Sequence, residues 1–463
     1  MKFLLTTLAA VFLAGCAVGP NYKQPAIGSP QVFRGDTSGQ TNSLGDLRWW
    51  EVFHDPTLQQ LVRTALTNNY DIRIAAARVE QARQVLAENR AGYFPAVTYQ
   101  GAVAGGRNVQ AGVPSPLGVE GKGYEFSGNV SWELDVWGKI RRLNESARAQ
   151  YLATEEARTN VMISLIATMA SDYFQLLSYD QELQIARDTT NSFGQSLKVF
   201  SDRQRGGISS KLETAAAEAE EASAAATVPE LERLIEVEEN QISILLGTNP
   251  GPILHRQKLL EELLPPDVPP GLPSALLERR PDIRQAEQLV RAANAQIGVA
   301  KANFFPKFDL TALLGVASDQ LSSFTTGTTG AWSLAADVAG PVFEGGLLKA
   351  QYRQARAAWQ ESVLEYQSTA LNAFQEVSDQ LSARWHLSRE RAEQERAVAA
   401  YETAVEVANQ RYAAGQANYY ELLQEQQLLF PAENALTQIE LNQLLAIVQL
   451  YRALGGGWQD AGK

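Results

Sequence analysis

The chain has 463 residues, 45% of them hydrophobic and 20% charged, and a formal net charge of −12 at pH 7. That acidic balance argues against a nucleic-acid partner, because phosphate recognition needs a basic patch. One Cys and three His rule out a disulfide scaffold and a Cys-based zinc site. No apolar run reaches the roughly 20 residues of a spanning helix, whereas the recurrence of Gln, Ala, Glu, Arg and Leu is the composition of long helices.

At the N-terminus, Lys2 precedes the apolar run Phe3 to Leu13, and Leu13-Ala14-Gly15-Cys16 follows. A basic start, a short apolar core and small residues mark a secretory signal over residues 1–15. The Cys directly after them is the only one in the chain, and the pattern resembles the lipobox of bacterial lipoproteins. That resemblance implies a covalent lipid on Cys16 and no other cofactor. Ala17, rather than Asp, follows the Cys and favours the outer membrane. Residues 16–55 read as a lipidated, extended N-terminal segment.

From Pro56 to Asn89 a helical spacing of Leu58, Leu61, Val62, Ala65 and Leu66 predicts one helix, ending before Gly92 and Pro95. Two strands are expected next, over 96–106 and 124–135. In the second, Tyr124, Phe126, Val130, Trp132 and Leu134 alternate with polar residues, so one face is apolar. No proline occurs between Pro116 and Pro229, so a helix from about Lys139 to Gln204 is expected, on the order of 100 Å long. A Pro-rich linker follows over 264–273.

The same order then recurs. Asp71-Ile72-Arg73 and Tyr93-Phe94-Pro95 match Asp282-Ile283-Arg284 and Phe304-Phe305-Pro306 at an offset of 211. Arg203, Gly207 and Glu213 match Arg411, Gly415 and Glu421 at an offset of 208. The chain is therefore two copies of one unit, 56–263 and 274–454, with a tail over 455–463. The second copy should carry strands over 307–317 and 331–338 and its own helical hairpin.

A strand of about ten residues with one apolar face has the length to cross an outer-membrane hydrocarbon layer when tilted. Four strands cannot close a barrel, and open edges cannot sit in lipid. Either several chains share one barrel, or the strands form a small soluble sandwich at the end of a coiled coil.

Further residues carry a resemblance to a known family. Val18-Gly19-Pro20-Asn21-Tyr22, Trp49-Trp50, Leu246-Gly247 with Asn249-Pro250-Gly251, Arg279-Arg280-Pro281-Asp282-Ile283 and Leu450-Tyr451-Arg452-Ala453-Leu454-Gly455-Gly456-Gly457-Trp458 occur in that order. The chain resembles the outer membrane factor family, the TolC-like exit ducts of tripartite efflux pumps, in its lipoprotein branch. The resemblance implies a mixed α and β membrane protein and a homotrimer. Three chains would build a twelve-stranded outer-membrane β-barrel continuous with a periplasmic helical barrel. It also implies contact with outer-membrane lipid, a periplasmic adaptor (membrane fusion) protein and an inner-membrane efflux pump of the RND type. Drugs or other small molecules would be the cargo. Type I protein secretion is the alternative, and a non-pore structural envelope lipoprotein is a third.

In that family the hairpin tips meet the adaptor and narrow the tunnel. This carries to Gly206, Gly207, Ile208, Ser209 and Ser210 in the first copy and to Ala414, Gly415, Gln416, Ala417 and Asn418 in the second. For the periplasmic aperture it carries to Tyr420, and to Glu421, Gln424 and Glu425, with Gln424 standing where the family commonly has Asp. A run of glutamates from Glu213 to Glu239 either lines the lumen or solubilises the outer surface. No catalytic constellation is legible: His54, His255 and His386 lack ligand spacing, and no nucleophile elbow or phosphate loop occurs. Met162 and Met169 alone remain after the signal, so no thioether series exists to carry soft metal ions.

Overall fold

The computed structural model describes residues 17–35, 43–107, 109–110, 113–114, 120–259, 271–318, 320–324 and 330–456. Cys16, the linker residues Pro265, Pro266, Pro269 and Pro270, and Trp458 lie outside them. The helices are α1 (Pro56–Asn68), α2 (Tyr70–Ala91), α3 (Lys139–Arg205), α4 (Lys211–Leu245), α5 (Pro273–Arg279), α6 (Pro281–Ala302), α7 (Leu347–Ala413) and α8 (Tyr419–Ala453). The main strands are β1 (Ala96–Arg107), β2 (Glu120–Glu133), β3 (Lys307–Ser318) and β4 (Gly330–Ala339).

The duplication is preserved in element lengths. Both α3 and α7 have 67 residues, α4 and α8 have 35, α2 and α6 have 22, and β1 and β3 have 12. It does not yield two separate bodies, however. One compact unit gathers Met1–Ala26, Arg78–Glu155 and Gln285–Gln367, and the other gathers Ile27–Ala77, Glu156–Arg284 and Ser368–Lys463. Each unit takes pieces of both copies.

The helix expected from Pro56 to Asn89 is broken at Asn69. There the side-chain oxygen accepts from the N–H groups of Asp71 (2.8 Å) and Ile72 (3.2 Å), while its amide donates to the Leu245 carbonyl (2.9 Å). A short polar side chain that offers the backbone a local partner caps a new helix rather than continuing the old one. The matching break in the second copy falls at Arg280, before Pro281, which suits the first turn of a helix. The segment over 16–55 is not wholly extended either. A 3₁₀ turn spans Leu44–Asp46 and a helical turn spans Trp49–Val52. Pro273, assigned to the linker by sequence, opens α5.

In the first unit the four strands form one antiparallel sheet in the order β1-β2-β3-β4. Ala96 pairs with Ser131, Phe126 with Val316, and Leu314 with Trp332. Because side chains alternate faces, this register places Val97, Tyr99, Val103, Phe126, Trp132, Leu314, Trp332, Leu334 and Val338 on one side, all of them exposed. The opposite side carries Gln100, Glu125, Asn129, Glu133, Asp309, Thr311 and Asp337. Tyr124 and Val130 share the apolar side and are half-buried. Leu134 does not belong to the strand: β2 ends at Glu133, and the Leu134 N–H donates to the Phe308 carbonyl (2.8 Å).

The second unit is held by a helical core. Trp49, Phe53, Leu58, Val62, Phe174, Leu177, Leu450 and Tyr451 are buried, each worth about 1.5–3 kcal/mol. Phe53 packs 6.1 Å from both Phe174 and Tyr451. Asp55 caps α1 by accepting from the Thr57 N–H (2.6 Å) and also accepts from the Tyr173 hydroxyl. Among the described residues, α3 alone contains an 18-residue stretch apolar enough to span a membrane by composition. That stretch is 61% buried inside the protein and reads as core.

Candidate functional site: the two hairpin tips

The α3–α4 and α7–α8 hairpins turn by one device used twice. At the first tip, Gly207 N–H donates to Gln204 O (2.9 Å) and Ile208 N–H to Arg203 O (2.9 Å). At the second, Gly415 N–H donates to Tyr412 O (3.0 Å) and Gln416 N–H to Arg411 O (2.9 Å). Gly207 and Gly415 sit at φ of +74° and +71°, the left-handed conformation that ends a helix with least strain in glycine.

Each returning helix then has its own cap. Ser210 caps α4, accepting from the Glu213 N–H (3.3 Å), while Glu213 reaches back to the Ser210 N–H (2.8 Å). That bond and the Ser209 hydroxyl (2.5 Å) hold the Glu213 carboxyl below the usual range, with Ser209 the larger cause. Asn418 caps α8 by accepting from the Glu421 N–H (3.1 Å). Glu421 in turn pairs with Arg411 across the turn (3.4 Å).

Between the hairpins lies a small core of Phe193, Phe200, Ala217, Ala224, Ala408, Tyr419, Leu422 and Leu423. Phe200 and Tyr419 have ring centroids 3.9 Å apart. Beside it the Arg203 guanidinium lies 4.6 Å over the Tyr412 ring and donates to its hydroxyl, joining the two copies.

The sequence candidates for the aperture therefore separate. Tyr420 (73% exposed) and Gln424 lie on one exposed face of α8, one turn apart. Glu421 is tied to Arg411, and Glu425 is half-buried. Among the tip candidates, Ile208 is 81% exposed, as is Leu212 (79%), which occupies the place of Tyr420 in the first copy. Sequence reasoning missed Tyr412 and Tyr419. The available signal was a departure from the repeat, since their counterparts are Gln204 and Lys211.

The glutamate run does not form one face. Glu213 accepts from the Ser210 N–H at the start of α4, Glu232 pairs with Arg187 (2.7 Å), and Glu239 pairs with Arg256 (2.5 Å). Glu238 is buried, and burial together with the Asp172 charge pushes its carboxyl up to about 7.

Residues 61–248 and 272–456 match the family described as outer membrane efflux protein. The chain belongs to that family. The toluene efflux pump outer membrane protein TtgC of Pseudomonas putida is 34% identical over 467 residues, covering 99% of this chain and 96% of that one. The probable outer membrane lipoprotein SilC of Salmonella typhimurium is 32% identical over 471 residues, with 99% and 100% covered. The solved outer-membrane channel OprN superposes with a TM-score of 0.88 at 31% identity, covering 96% of this chain and all of that one. This efflux protein thus has the fold class of the trimeric outer membrane channels, with two repeats, long helical hairpins and a four-stranded share of a barrel. It is an outer-membrane efflux duct, and its relatives are duct proteins of efflux systems.

Proposed function

We propose that the chain is the passive exit duct of a tripartite pump, working as a homotrimer anchored to the outer membrane by a lipid on Cys16. The observation that carries this is the sheet. It is apolar along one face and polar along the other, and among the described residues β1 and β4 leave its two edges unpaired. Open edges are not tolerated in lipid, and closure with neighbouring copies satisfies them while turning the polar face inward. Tyr124, Phe126, Val130 and Trp132 then face lipid.

The hairpin tips are, on this reading, the parts that meet other proteins. Gly206 to Ser210 and Ala414 to Asn418 would contact the periplasmic adaptor, and Tyr420 with Gln424 would narrow the path at the periplasmic end. An inner-membrane pump of the RND type supplies the work. Small molecules are the favoured cargo, supported by the toluene efflux role named for TtgC. The lipid anchor is supported by the Leu13 to Cys16 pattern and by the lipoprotein designation of SilC.

The test is single-channel conductance of the purified protein in a planar bilayer, compared with Tyr420→Ala. Small, flickering openings that widen in the variant are expected. A folded, inserted protein without conductance in either form would refute the duct; equal conductance in both would move the constriction away from Tyr420.

A further inference from the structure

Residues from Ala17 onward climb one helix by close backbone contact. The Asn294 amide donates to Pro20 O (3.0 Å), and a Cβ added to Gly19 would lie only 2.5 Å from the Cα of Gly298. Such an approach is possible only between glycines. Arg142 clamps the same stretch, donating to Asn21 Oδ1 (2.9 Å) and to Val18 O (3.4 Å). The Val18 N–H donates to Trp137 O (3.0 Å), and Ala17 lies against Gly138, where an added Cβ would come within 2.6 Å of it.

The contacts therefore advance along α6 from Asn294 to Gly298 as the chain runs back from Pro20 to Val18. One more helical turn along α6 leads to Ala302, and Trp137 and Lys139 flank the Gly138 against which Ala17 lies. A cleft of about 510 Å³ opens there, at the helix-proximal end of the sheet. Leu134, Trp137, Phe305 and Leu348 line its apolar part, and Glu133, Asp135, Glu344, Lys139 and Lys307 its charged rim. Trp137 is held rigidly, stacked on Phe305 (4.6 Å) and donating from its indole to Pro306 O (2.7 Å). Its ring also lies 6.5 Å from Phe308, whose side chain belongs to the apolar face of the sheet.

We propose that this cleft seats one acyl chain of the lipid carried on Cys16, so that the anchor is held against its own barrel rather than dispersed in the bilayer. The proposal rests on the reading that Cys16 is lipidated. Three features favour this occupant over a passing lipid. The tethered chain starts one residue from the last clamped position, the cleft wall is continuous with the apolar face, and the amine of Lys139 can donate to the ester carbonyls of a glyceryl group.

The experiment uses the full protein extracted from the outer membrane, with p-benzoylphenylalanine in place of Leu348. After irradiation and digestion, mass spectrometry is expected to find the peptide beginning at Cys16, with its acyl chains, joined to the peptide containing position 348. The same substitution at Leu134 approaches the cleft from another wall if position 348 disturbs assembly. Adducts to free phospholipid, or to a peptide of a neighbouring subunit, would overturn the seat while the lipid mass on the Cys16 peptide stayed intact. An N-terminal peptide without lipid would overturn the anchoring reading itself.

Discussion

The Arg203 guanidinium stacks over the Tyr412 ring and donates to its hydroxyl, so the last turn of α3 is bonded to the last turn of α7. The link joins the outgoing helices of the two copies beside both tips. A half-buried cation–π contact of this kind contributes about 1 kcal/mol. Arg203→Ala is expected to raise mean single-channel conductance by freeing the two tips from each other. Tyr412→Phe, which keeps the ring and loses the hydroxyl, should have a smaller effect in the same direction. Unchanged conductance in Arg203→Ala would show that the link has no part in setting the opening.

Ile208 and Leu212 are large apolar side chains held almost fully in water beside a capped turn. Under the proposed adaptor contact, these two side chains belong to the covered surface. Ile208→Asp combined with Leu212→Asp is expected to weaken adaptor binding by roughly tenfold or more while leaving the melting temperature unchanged. Titration of the adaptor onto the trimer, followed by light scattering or surface resonance, would read this out.

Two arginines should differ sharply in stability cost. Arg280 is buried, donating to Asp282 (2.6 Å), Glu376 (2.7 Å) and Ala453 O (3.1 Å). Arg280→Ala leaves those carboxylates without their cation and is expected to cost about 3–5 kcal/mol. Arg411 is half-exposed in its pair with Glu421, so Arg411→Ala should cost under about 1 kcal/mol. Thermal unfolding of both variants against the parent checks the contrast.

Stability should also depend on pH through Glu238. Burial first and the Asp172 charge second raise its carboxyl from 4.5 to about 7, and burial raises Asp172 to about 6. A raised carboxyl holds its proton in the folded state where the unfolded chain has released it. The fold is then relatively most stable below the unfolded value and loses that advantage as pH climbs through the folded one. The loss falls between about pH 4.5 and about pH 7 and is roughly 3 kcal/mol at most. Glu238→Gln should flatten this part of the pH–stability curve, and a slope equal to the parent's would assign the dependence elsewhere.

Much of the fold was legible because the relevant signals repeat. The alternation from Tyr124 to Trp132, the proline-free tracts and the Gly207/Gly415 match each name an element by period or punctuation. Asn69 was not legible as a break, because its effect depends on the Leu245 carbonyl, which is remote in sequence. Leu134 kept the alternation but lost the strand, since pairing rather than pattern decides where a ladder stops. At the tips, the turn glycines could be read directly. The Arg203–Tyr412 link could not, because it joins residues 209 apart in sequence and Tyr412 has Gln204 as its counterpart in the first copy. The distinction between exposed Tyr420 and buried Tyr419 also needed the packing of Phe200 to settle it.

The unpaired edges of β1 and β4 bear on genetics as well as on membrane insertion. A chain whose sheet is finished only by its neighbours cannot contribute a private, self-sufficient pore. Any subunit that folds well enough to be recruited but carries a defective edge or tip spoils the assembly it joins. With equal expression of intact and defective copies and random mixing, only about one trimer in eight would be wholly intact. Edge-strand and tip variants should therefore be dominant, and variants that do not fold far enough to be recruited should be recessive.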